Sequence, residues 1–356
     1  MRIRISLKAI FRLQSKTAVL LAIVCYTTLW YLFLSPTTQT VPHKEGSSIF
    51  LSTDLQDPLR SSLQHAILNA KKSVLLIIYS LNDVKIIGAL NHISKKDVSV
   101  TVIYDKKASP EADFMLRNQI TTYAKKGRGL MHLKLLVIDH TVAWIGSANM
   151  TISALIQQGN MMTGLRIPLL AERIEAYSKN LIAQKPFLKP VFRHKTQDQT
   201  LSLFLHPQHA KESLHELIQR IQKASRRIFI AMYTFTHPQL IQAICTAKKN
   251  GIDVRVIFDQ HSLRETSKKA YLQCKKSRIL CGHRKKAGLL HYKVAIIDDT
   301  IVTGSCNWTK AGFTSNTEAI LIIDPLSHEQ KAWVERWWHH VEALSSLPQS
   351  QKRMCA

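Results

Sequence analysis

The sequence has 356 residues, 46% of them hydrophobic and 21% charged, which excludes a disordered chain and allows two ordinary domains with sizeable cores. Lysine and arginine number 49 against 24 acidic residues, and this net charge of +25 indicates a polyanionic partner, either an anionic membrane surface or nucleic acid. Six cysteines without a CxxC spacing exclude a disulfide scaffold, although a bridge between Cys274 and Cys281 stays open.

The N-terminal region predicts a membrane anchor. Residues 1–16 carry five basic side chains and no acidic one, and residues 17–35 carry no charge. Because about 20 helical residues cross a bilayer core, 17–35 predicts a single transmembrane helix with a cytoplasmic N-terminus. Everything after the polar linker 36–47 would then be exported to a periplasmic, lumenal or extracellular compartment. A cleaved signal peptide, which would give a secreted protein, is the alternative, but residues 33–36 contain no convincing cleavage site.

The remainder of the chain contains an internal repeat. Residues 73–83 match 227–237, and residues 98–109 match 252–263. These short, apolar, β-rich runs are typical of buried strands, and helical periodicity lies between them. Each half therefore predicts alternating helices and strands, which favours an α/β sandwich around a largely buried sheet.

The repeat sets the predicted domain boundaries. The first domain covers 48–165 and the second 200–345, with a connector at 166–199 and a tail at 346–356. A last helix at 329–344 carries several tryptophans on one face. This face is predicted to pack on the second domain rather than to form a membrane-facing belt.

Both domains contain the same motif. The first copy begins at His132 and reads "HLKLLVIDHTVAWIGSANMT", and the second begins at His291 and reads "HYKVAIIDDTIVTGSCNWT". Alternate side chains of a strand share a face, so His132 lies beside Lys134, and His291 beside Lys293. The apolar runs that follow anchor each strand in the core and leave each polar pair at a strand end.

The two motifs together suit a phosphodiester. They supply two imidazoles, two ammonium groups and two amides, without a carboxylate cluster that would suit Mg²⁺. One neutral imidazole can attack phosphorus, while the other, protonated, gives its proton to the leaving alcohol and then activates water. Neither a metal nor a cofactor is expected. The groups expected to bind the phosphate are Lys134, Lys293, Asn149 and Asn307, together with the turns at Ser147 and Ser305.

The pattern HxKxxxxD followed by GSxN is similar to that of the phospholipase D superfamily, and the resemblance covers about residues 48–345. It implies two α/β/α sandwich domains related by a pseudo-twofold axis, with the active site in the cleft between them. It also implies metal-independent chemistry through a phosphohistidine, with His132 as nucleophile and His291 as general acid and base. It also implies that the motif aspartates are structural supports rather than participants in the reaction. The motif residues that it marks are His132, Lys134, Asp139, His291, Lys293 and Asp298.

One position departs from the family pattern. Family members often carry a glutamate shortly after GSxN that orients the motif histidine, and Glu318 fits that place, whereas its equivalent in the first half is Asn160. An amide can orient an imidazole but cannot stabilise an imidazolium as a carboxylate does. If each orienting residue serves the histidine of its own half, Asn160 orients His132 and Glu318 orients His291. This pairing favours His132 as the neutral attacker, although the opposite assignment stays open.

The motifs alone do not separate the reactions of the superfamily. The leading hypothesis is a membrane-anchored phospholipase D that cuts the headgroup ester of a glycerophospholipid, with the membrane surface as its partner. Phosphatidyl transfer of the cardiolipin-synthase type is a close variant. A nuclease is the second hypothesis, although the only aromatic residues near the motifs that would stack on bases are Tyr292 and Trp308. A catalytically inactive binding protein is the third, and the oligomeric state stays open.

Overall fold

The computed structural model describes residues 41–125, 129–196 and 198–348, so the predicted anchor at 17–35 lies outside the described chain. Within the described ranges no helix combines the length and the apolar character needed to cross a bilayer. The transmembrane helix therefore stays a prediction from the sequence.

The first half is built on a seven-stranded mixed sheet with strand order β1-β7-β6-β5-β2-β3-β4. Strands β2, β3 and β4 are parallel, and the other neighbours are antiparallel. Its strands are β1 (Ser48–Ser52), β2 (Ser73–Ile78), β3 (Ser99–Asp105), β4 (Thr121–Lys125), β5 (Lys134–Ile138), β6 (Val142–Gly146) and β7 (Met161–Arg166). Its helices are α1 (Leu59–Leu68), α2 (Val84–Ile93) and α3 (Ala112–Met115), with a π-helix at Ser153–Gln157.

The second half repeats this arrangement in an eight-stranded sheet with order β12-β11-β10-β13-β14-β15-β9-β8. Its strands are β8 (Phe192–Lys195), β9 (Thr200–Leu205), β10 (Arg227–Met232), β11 (Asp253–Phe258), β12 (Leu280–His283), β13 (Lys293–Ile297), β14 (Thr300–Gly304) and β15 (Ala319–Asp324). The helices after the first half are α4 (Pro168–Ile182), α5 (Ala210–Lys223), α6 (Pro238–Lys249), α7 (Gln260–Glu265), α8 (Lys268–Lys276) and α9 (His328–Ala343), with a 3₁₀ turn at Ala311–Phe313.

The corresponding strands occupy corresponding places in the two sheets, which confirms a mixed α/β fold built from a repeat. The connector predicted at 166–199 is more structured than expected. It contains α4, and its strand β8 extends the second sheet by pairing with β9. The sequence signals missed β8 because the strand is only four residues long and half exposed.

The two sheets share a core, and the alternation of side chains along each strand explains how. On β2, Leu75 and Ile77 point into the cluster that also contains Phe229 and Ile296 of the second sheet, while Leu76 points towards α1 and α2. Helices α4 and α9 contribute to the shared cluster. Because both faces of each sheet are buried, the strands consist of nearly continuous apolar runs.

The C-terminal helix α9 packs as predicted. Trp337 and Trp338 are fully buried, and Trp338 stacks on Phe229 of the second sheet with ring centroids 4.8 Å apart. Trp333 lies 5.3 Å from Phe50 of the first sheet, so the helix contacts both halves. The tryptophan face is therefore part of the core.

Cys274 and Cys281 are buried free thiols, so the open question of a bridge is answered in favour of unpaired cysteines.

Candidate active site

Each motif places its lysine at the first residue of a central strand and its histidine just before it. Strand β5 begins at Lys134 and β13 begins at Lys293, and all five residues of each strand are buried. Lys134 Nζ donates to the His132 carbonyl at 2.6 Å, and Lys293 Nζ donates to the His291 carbonyl at 2.8 Å. The rigid strand thus fixes each lysine against its own histidine.

The two motifs meet through contacts that cross between the halves. The His132 N–H donates to the carbonyl of Thr317, and the His291 N–H donates to the carbonyl of Gly159, both at 2.9 Å. The next residues along these segments then reach the imidazoles: His132 Nδ1 lies 3.0 Å from Glu318 Oε2, and His291 Nδ1 lies 2.9 Å from Asn160 Oδ1. Each histidine is oriented by the opposite half.

These crossed contacts correct the expectation that each histidine takes its orienting residue from its own half. The reason is topological, because the bridges Met131–Thr317 and Gly159–Leu290 carry the segment before β15 to the first motif and the segment before β7 to the second. The carboxylate of Glu318 therefore supports His132 and the amide of Asn160 supports His291, so the expectation that an amide partner makes His132 the neutral attacker is wrong. Sequence spacing identified both orienting residues but could not show which imidazole each one reaches.

Ser147 and Ser305 do not face a phosphate site, contrary to the prediction. Ser147 Oγ donates to Asn160 Oδ1 at 2.9 Å, and Ser305 Oγ donates to Glu318 Oε2 at 2.5 Å. Their backbone N–H groups donate to the carbonyls of Met161 and Ala319. Both serines are fully buried and hold the orienting residues in place.

The amino groups of the two motif lysines are buried and have lowered pKa values. Lys134 is 0% exposed and Lys293 is 2% exposed. Burial lowers the pKa of Lys134 to about 7, against the opposing attraction of Glu318 and Asp105. Burial, together with the charge of Lys134, lowers the pKa of Lys293 well below its usual value. An anion bound between them would restore the charged form of both, as expected of groups that hold non-bridging phosphate oxygens.

The histidines are biased towards the neutral form. Burial, followed by the charges of Lys134 and Lys293, lowers the pKa of His132 well below its usual value. Burial and the same two lysines, with His132 itself, lower the pKa of His291 similarly. Burial raises the pKa of Glu318 to about 7, although Lys134 and the Ser305 hydroxyl favour its carboxylate. The site thus combines neutral imidazoles with two lysines whose charged form a bound anion would favour.

The two motif asparagines retain hydrogen-bonding capacity. Asn149 Oδ1 and Asn307 Oδ1 are buried, and neither has a hydrogen-bond partner among the described residues. Buried amides are normally satisfied, so each of these two oxygens is available to a bound group that can donate a hydrogen bond. Asn149 and Asn307 remain predicted phosphate ligands.

Asp139 and Asp298 lie at the other ends of the motif strands, away from the histidines. The Asp139 carboxylate accepts the backbone N–H groups of Lys71, Lys72 and Ser73. Asp298 makes the equivalent contacts with residues 225–227. Both adopt positive φ, near 50°. They hold a turn against the preceding helix-to-strand connection, so the structure gives them a supporting position and not a catalytic one.

A pair of tyrosines beside the imidazoles was not predicted as part of the site. The Tyr79 ring lies 5.0 Å from that of His132, and the Tyr233 ring lies 5.0 Å from that of His291. Lys134 Nζ and Lys293 Nζ lie over these rings at 5.0 and 4.9 Å. The signal was available, because the two tyrosines occupy the same position of the repeat.

A buried ion pair that no sequence pattern indicated connects the second motif to the first half. Arg284 Nη1 and Nη2 donate to the Asp54 carboxylate at 2.6 and 2.9 Å, and the Tyr292 hydroxyl donates to Asp54 at 3.1 Å. Gly159 is required beside them, since a Cβ there would lie 2.7 Å from the Tyr292 ring and 2.8 Å from Asp54 Oδ2.

Among the described residues, no cluster of three His, Cys, Asp or Glu side chains is arranged to hold a metal ion.

Comparison with known proteins agrees with this geometry. The family profile described as "Cardiolipin synthase, PLD-like domain" matches residues 63–182 and 217–341. A mitochondrial cardiolipin hydrolase of Xenopus laevis is 31% identical over 117 residues, which are 33% of this chain and 55% of the relative. A phospholipase D of Rickettsia prowazekii is 27% identical over 123 residues, 34% of this chain and 59% of the relative. The match therefore spans little more than half the length of these relatives.

A solved structure supports the fold over most of the chain. Phosphatidylserine synthase of Haemophilus influenzae superposes with a TM-score of 0.67, covering 87% of this chain and 90% of that one. The sequences are 14% identical, so the likeness concerns the fold alone.

Proposed function

The chain belongs to the phospholipase D superfamily, and we propose that it is a phosphodiesterase that hydrolyses the headgroup ester of a membrane glycerophospholipid through a phosphohistidine. The observation that carries this proposal is the crossed arrangement of the two histidines, each backed by a polar group of the opposite half. One imidazole with a carboxylate partner and one with an amide partner suit two different roles in one double displacement.

In the first step His132 attacks phosphorus. Its Nδ1–H is donated to Glu318, so the lone pair that attacks is that of Nε2. A P–N bond forms, the P–O bond to the headgroup breaks, and His291 gives its proton to the leaving alcohol. The phosphorylated imidazole is cationic and is stabilised by the Glu318 carboxylate, while Lys134 and Lys293 stabilise the charge on the phosphoryl oxygens.

In the second step the neutral His291 takes a proton from water, the hydroxide attacks phosphorus, and the P–N bond breaks. Its Nδ1–H is donated to the amide oxygen of Asn160, which also accepts from Ser147, so Nε2 faces the reaction. The bound phosphodiester raises the pKa of His291 by its negative charge, which allows the imidazole to enter the cycle protonated. An alcohol in place of water would give phosphatidyl transfer.

Two further observations favour a lipid over a nucleic acid. Tyr292 is 0% exposed and Trp308 is 1% exposed, so the two aromatic residues that the sequence offered for base stacking are in the core. The relatives named above are a cardiolipin hydrolase and a phospholipase D. The net charge of +25 still suits a nucleic-acid backbone, so a nuclease is the second candidate.

The decisive experiment offers one chelator-treated preparation of the full chain to labelled phospholipid vesicles and to labelled single-stranded DNA in parallel. We expect release of the lipid headgroup, with phosphatidic acid as the second product, and no activity in His291→Ala. Added short-chain alcohol would reveal transfer as a phosphatidyl alcohol. Release of nucleotides alone would replace this proposal with the nuclease, and the absence of both activities would leave a binding protein.

The membrane anchor is part of the proposal. The uncharged segment 17–35 would hold the catalytic part beside its substrate through a short linker. N-terminal sequencing of the protein extracted from cell membranes should give residue 1 or 2. A mature N-terminus near residue 40 would show a cleaved signal and a secreted enzyme instead.

A further inference from the structure

The rim of the cleft on the first half carries exposed apolar side chains that the proposed chemistry does not use. Val84, at the start of α2, is 61% exposed, and Ile152 and Ile156, at the π-helix, are 44% and 51% exposed. The carbonyl of Met150 accepts from the N–H groups of Asn82 and Asp83, which holds the start of α2 against the segment that enters the π-helix. The three residues therefore belong to one patch.

This patch, here called the apolar rim, lies at the catalytic end of the first sheet. Ile152 follows the motif residue Asn149 by three positions. Val84 follows Tyr79, which packs on the His132 ring, by five positions. The apolar rim thus follows, within a few residues, two side chains of the His132 site.

The second half shows that the fold does not require this apolar character. Counted from the motif asparagines, the equivalents of Ile152 and Ile156 are Lys310 and Thr314, and both are exposed. Val84 corresponds to Pro238 at the start of α6. The apolar rim therefore has a polar and basic counterpart in the second half.

Basic side chains lie near the apolar rim. Ile156, Lys85 and Arg60 line the same groove of about 400 Å³, and the charge of Arg60 is balanced by Asp83, whose Oδ2 lies 2.8 Å from Arg60 Nε. The loop that carries Lys286 approaches from the second half, because a Cβ on Gly288 would lie 2.8 Å from the Gln157 carbonyl. Apolar side chains flanked by cations are the pattern that inserts into the interface of an anionic bilayer.

We propose that the apolar rim enters the headgroup–acyl boundary of an anionic phospholipid bilayer, so that the cleft faces the membrane and takes its substrate from there. The inference rests on the proposed phospholipid substrate and adds the surface through which that substrate arrives. Lys85 and Lys310 would lie at the level of the headgroups, where each contributes to binding by its charge, while Lys286 Nζ is paired with Asp54 Oδ1 at 3.3 Å.

The direct test measures insertion of the full chain in vesicles of phosphatidylcholine and phosphatidylglycerol. An environment-sensitive fluorophore is attached to Ile156→Cys in a background in which Cys25 and Cys355 are serine; the four described cysteines are buried. We expect strong quenching by lipids that carry a spin label on the acyl chain. The control is Asn250→Cys, at an exposed position between α6 and β11 at the far end of the second sheet, which should stay unquenched.

Equal quenching at both positions, or none at either, would overturn the docking proposal. A blue shift of the Ile156 probe that depends on protein concentration and needs no lipid would assign the rim to contacts between copies of the chain. A blue shift that disappears when residues 1–40 are removed, again without lipid, would assign it to the N-terminal segment. Both results contradict the proposal.

The functional test measures the rate of one double variant on two substrates, phospholipid vesicles and monomeric short-chain phospholipid. Ile152→Gln with Ile156→Gln should lower the rate on vesicles about tenfold, since two side chains lose favourable burial, and should leave hydrolysis of monomeric short-chain phospholipid unchanged. Leu169→Gln, at an apolar side chain that is 58% exposed, should change neither rate. An equal loss on both substrates would show a defect in the site and contradict docking. If the wild type hydrolyses neither lipid, the proposed function fails, while the quenching experiment still decides whether the rim inserts.

Discussion

The two catalytic histidines lie in matching surroundings and differ in one partner. Each follows the same strand geometry, lies 5.0 Å from a tyrosine ring and is backed by a residue that a buried serine holds. His132 faces the carboxylate of Glu318, whereas His291 faces the amide of Asn160. A carboxylate stabilises an imidazolium and an amide does not, so a single position makes two equivalent sites chemically unequal.

The largest effect is expected from removing the nucleophile itself. His132→Asn should abolish turnover, by about 10⁴-fold or more, and should leave no covalent intermediate, because no other imidazole reaches the attacking position. His291→Asn should also stop turnover, but with a substrate whose leaving group needs no proton, such as a p-nitrophenyl ester, a phosphoryl label should accumulate on His132, since the second step lacks its base. Rapid quenching with labelled substrate and peptide mapping measures this. A labelled His132→Asn protein would reverse the assignment of the two roles.

The next largest effect concerns the carboxylate behind the nucleophile. Glu318→Gln keeps the shape and the contact with Ser305 but removes the charge that stabilises the phosphorylated imidazole. We expect kcat to fall about 10²–10³-fold, the size typical of losing one stabilising group. Burial raises the pKa of Glu318 to about 7, so kcat/KM of the wild type should decrease as the pH falls below that value.

The pH profile provides the control for this prediction. In Glu318→Gln the acidic decrease near pH 7 should disappear, because the group that titrates is gone. A variant that merely disturbed packing would have a lower kcat/KM at every pH and would keep the decrease of kcat/KM at acidic pH. That result would exclude Glu318 as the titrating partner of His132.

A smaller effect, on stability, tests the buried lysines. Because the pKa of Lys134 falls from 10.5 to about 7 on folding, the unfolded chain binds more protons between these pH values and stability rises with pH across that window. Lys134→Met should therefore raise the free energy of unfolding by about 1–4 kcal/mol at pH 6, with a gain that shrinks towards pH 10. Activity should be lost.

Denaturant titrations at several pH values measure this difference. Lys72→Met, at an exposed lysine, is the control. Its difference from the wild type in the free energy of unfolding should not change with pH. A Lys134→Met protein that is destabilised at pH 6 would show that the contact with the His132 carbonyl outweighs the penalty of burying the charge.

Much of the fold was readable from the sequence because it depends on local patterns. Strand β5 and its counterpart β13 were evident from continuous apolar runs, and the pairing of each histidine with its lysine follows from the period of a strand. The half-exposed strand β8 gave too weak a signal to be found.

The parts of the site that the sequence did not reveal depend on contacts between the halves. Spacing identified Glu318 and Asn160, but only the bridges between the halves direct each to the opposite imidazole. The Asp54–Arg284 pair joins residues 230 positions apart in sequence, a separation at which no local pattern indicates a contact. Ser147 and Ser305 looked like phosphate ligands because their motif position is close to the site, while the direction of their hydroxyls depends on β7 and β15.

The smallest expected effect comes from giving His291 the same partner as His132. Asn160→Asp places a carboxylate behind His291, which raises the pKa of that imidazole and makes it a weaker acid towards the leaving alcohol. We expect kcat to fall about tenfold and the alkaline decrease of kcat to move up by about one pH unit, one unit being about 1.4 kcal/mol. Because Asn160 Nδ2 also donates to the Ala154 carbonyl at 2.9 Å, thermal unfolding is measured alongside. Asn160→Ser, which removes the amide without adding charge, should lower kcat and leave the alkaline decrease in place. If both variants shift the alkaline decrease of kcat equally, the amide acts on His291 through geometry alone. The chemical difference between the two histidines would then come from Glu318.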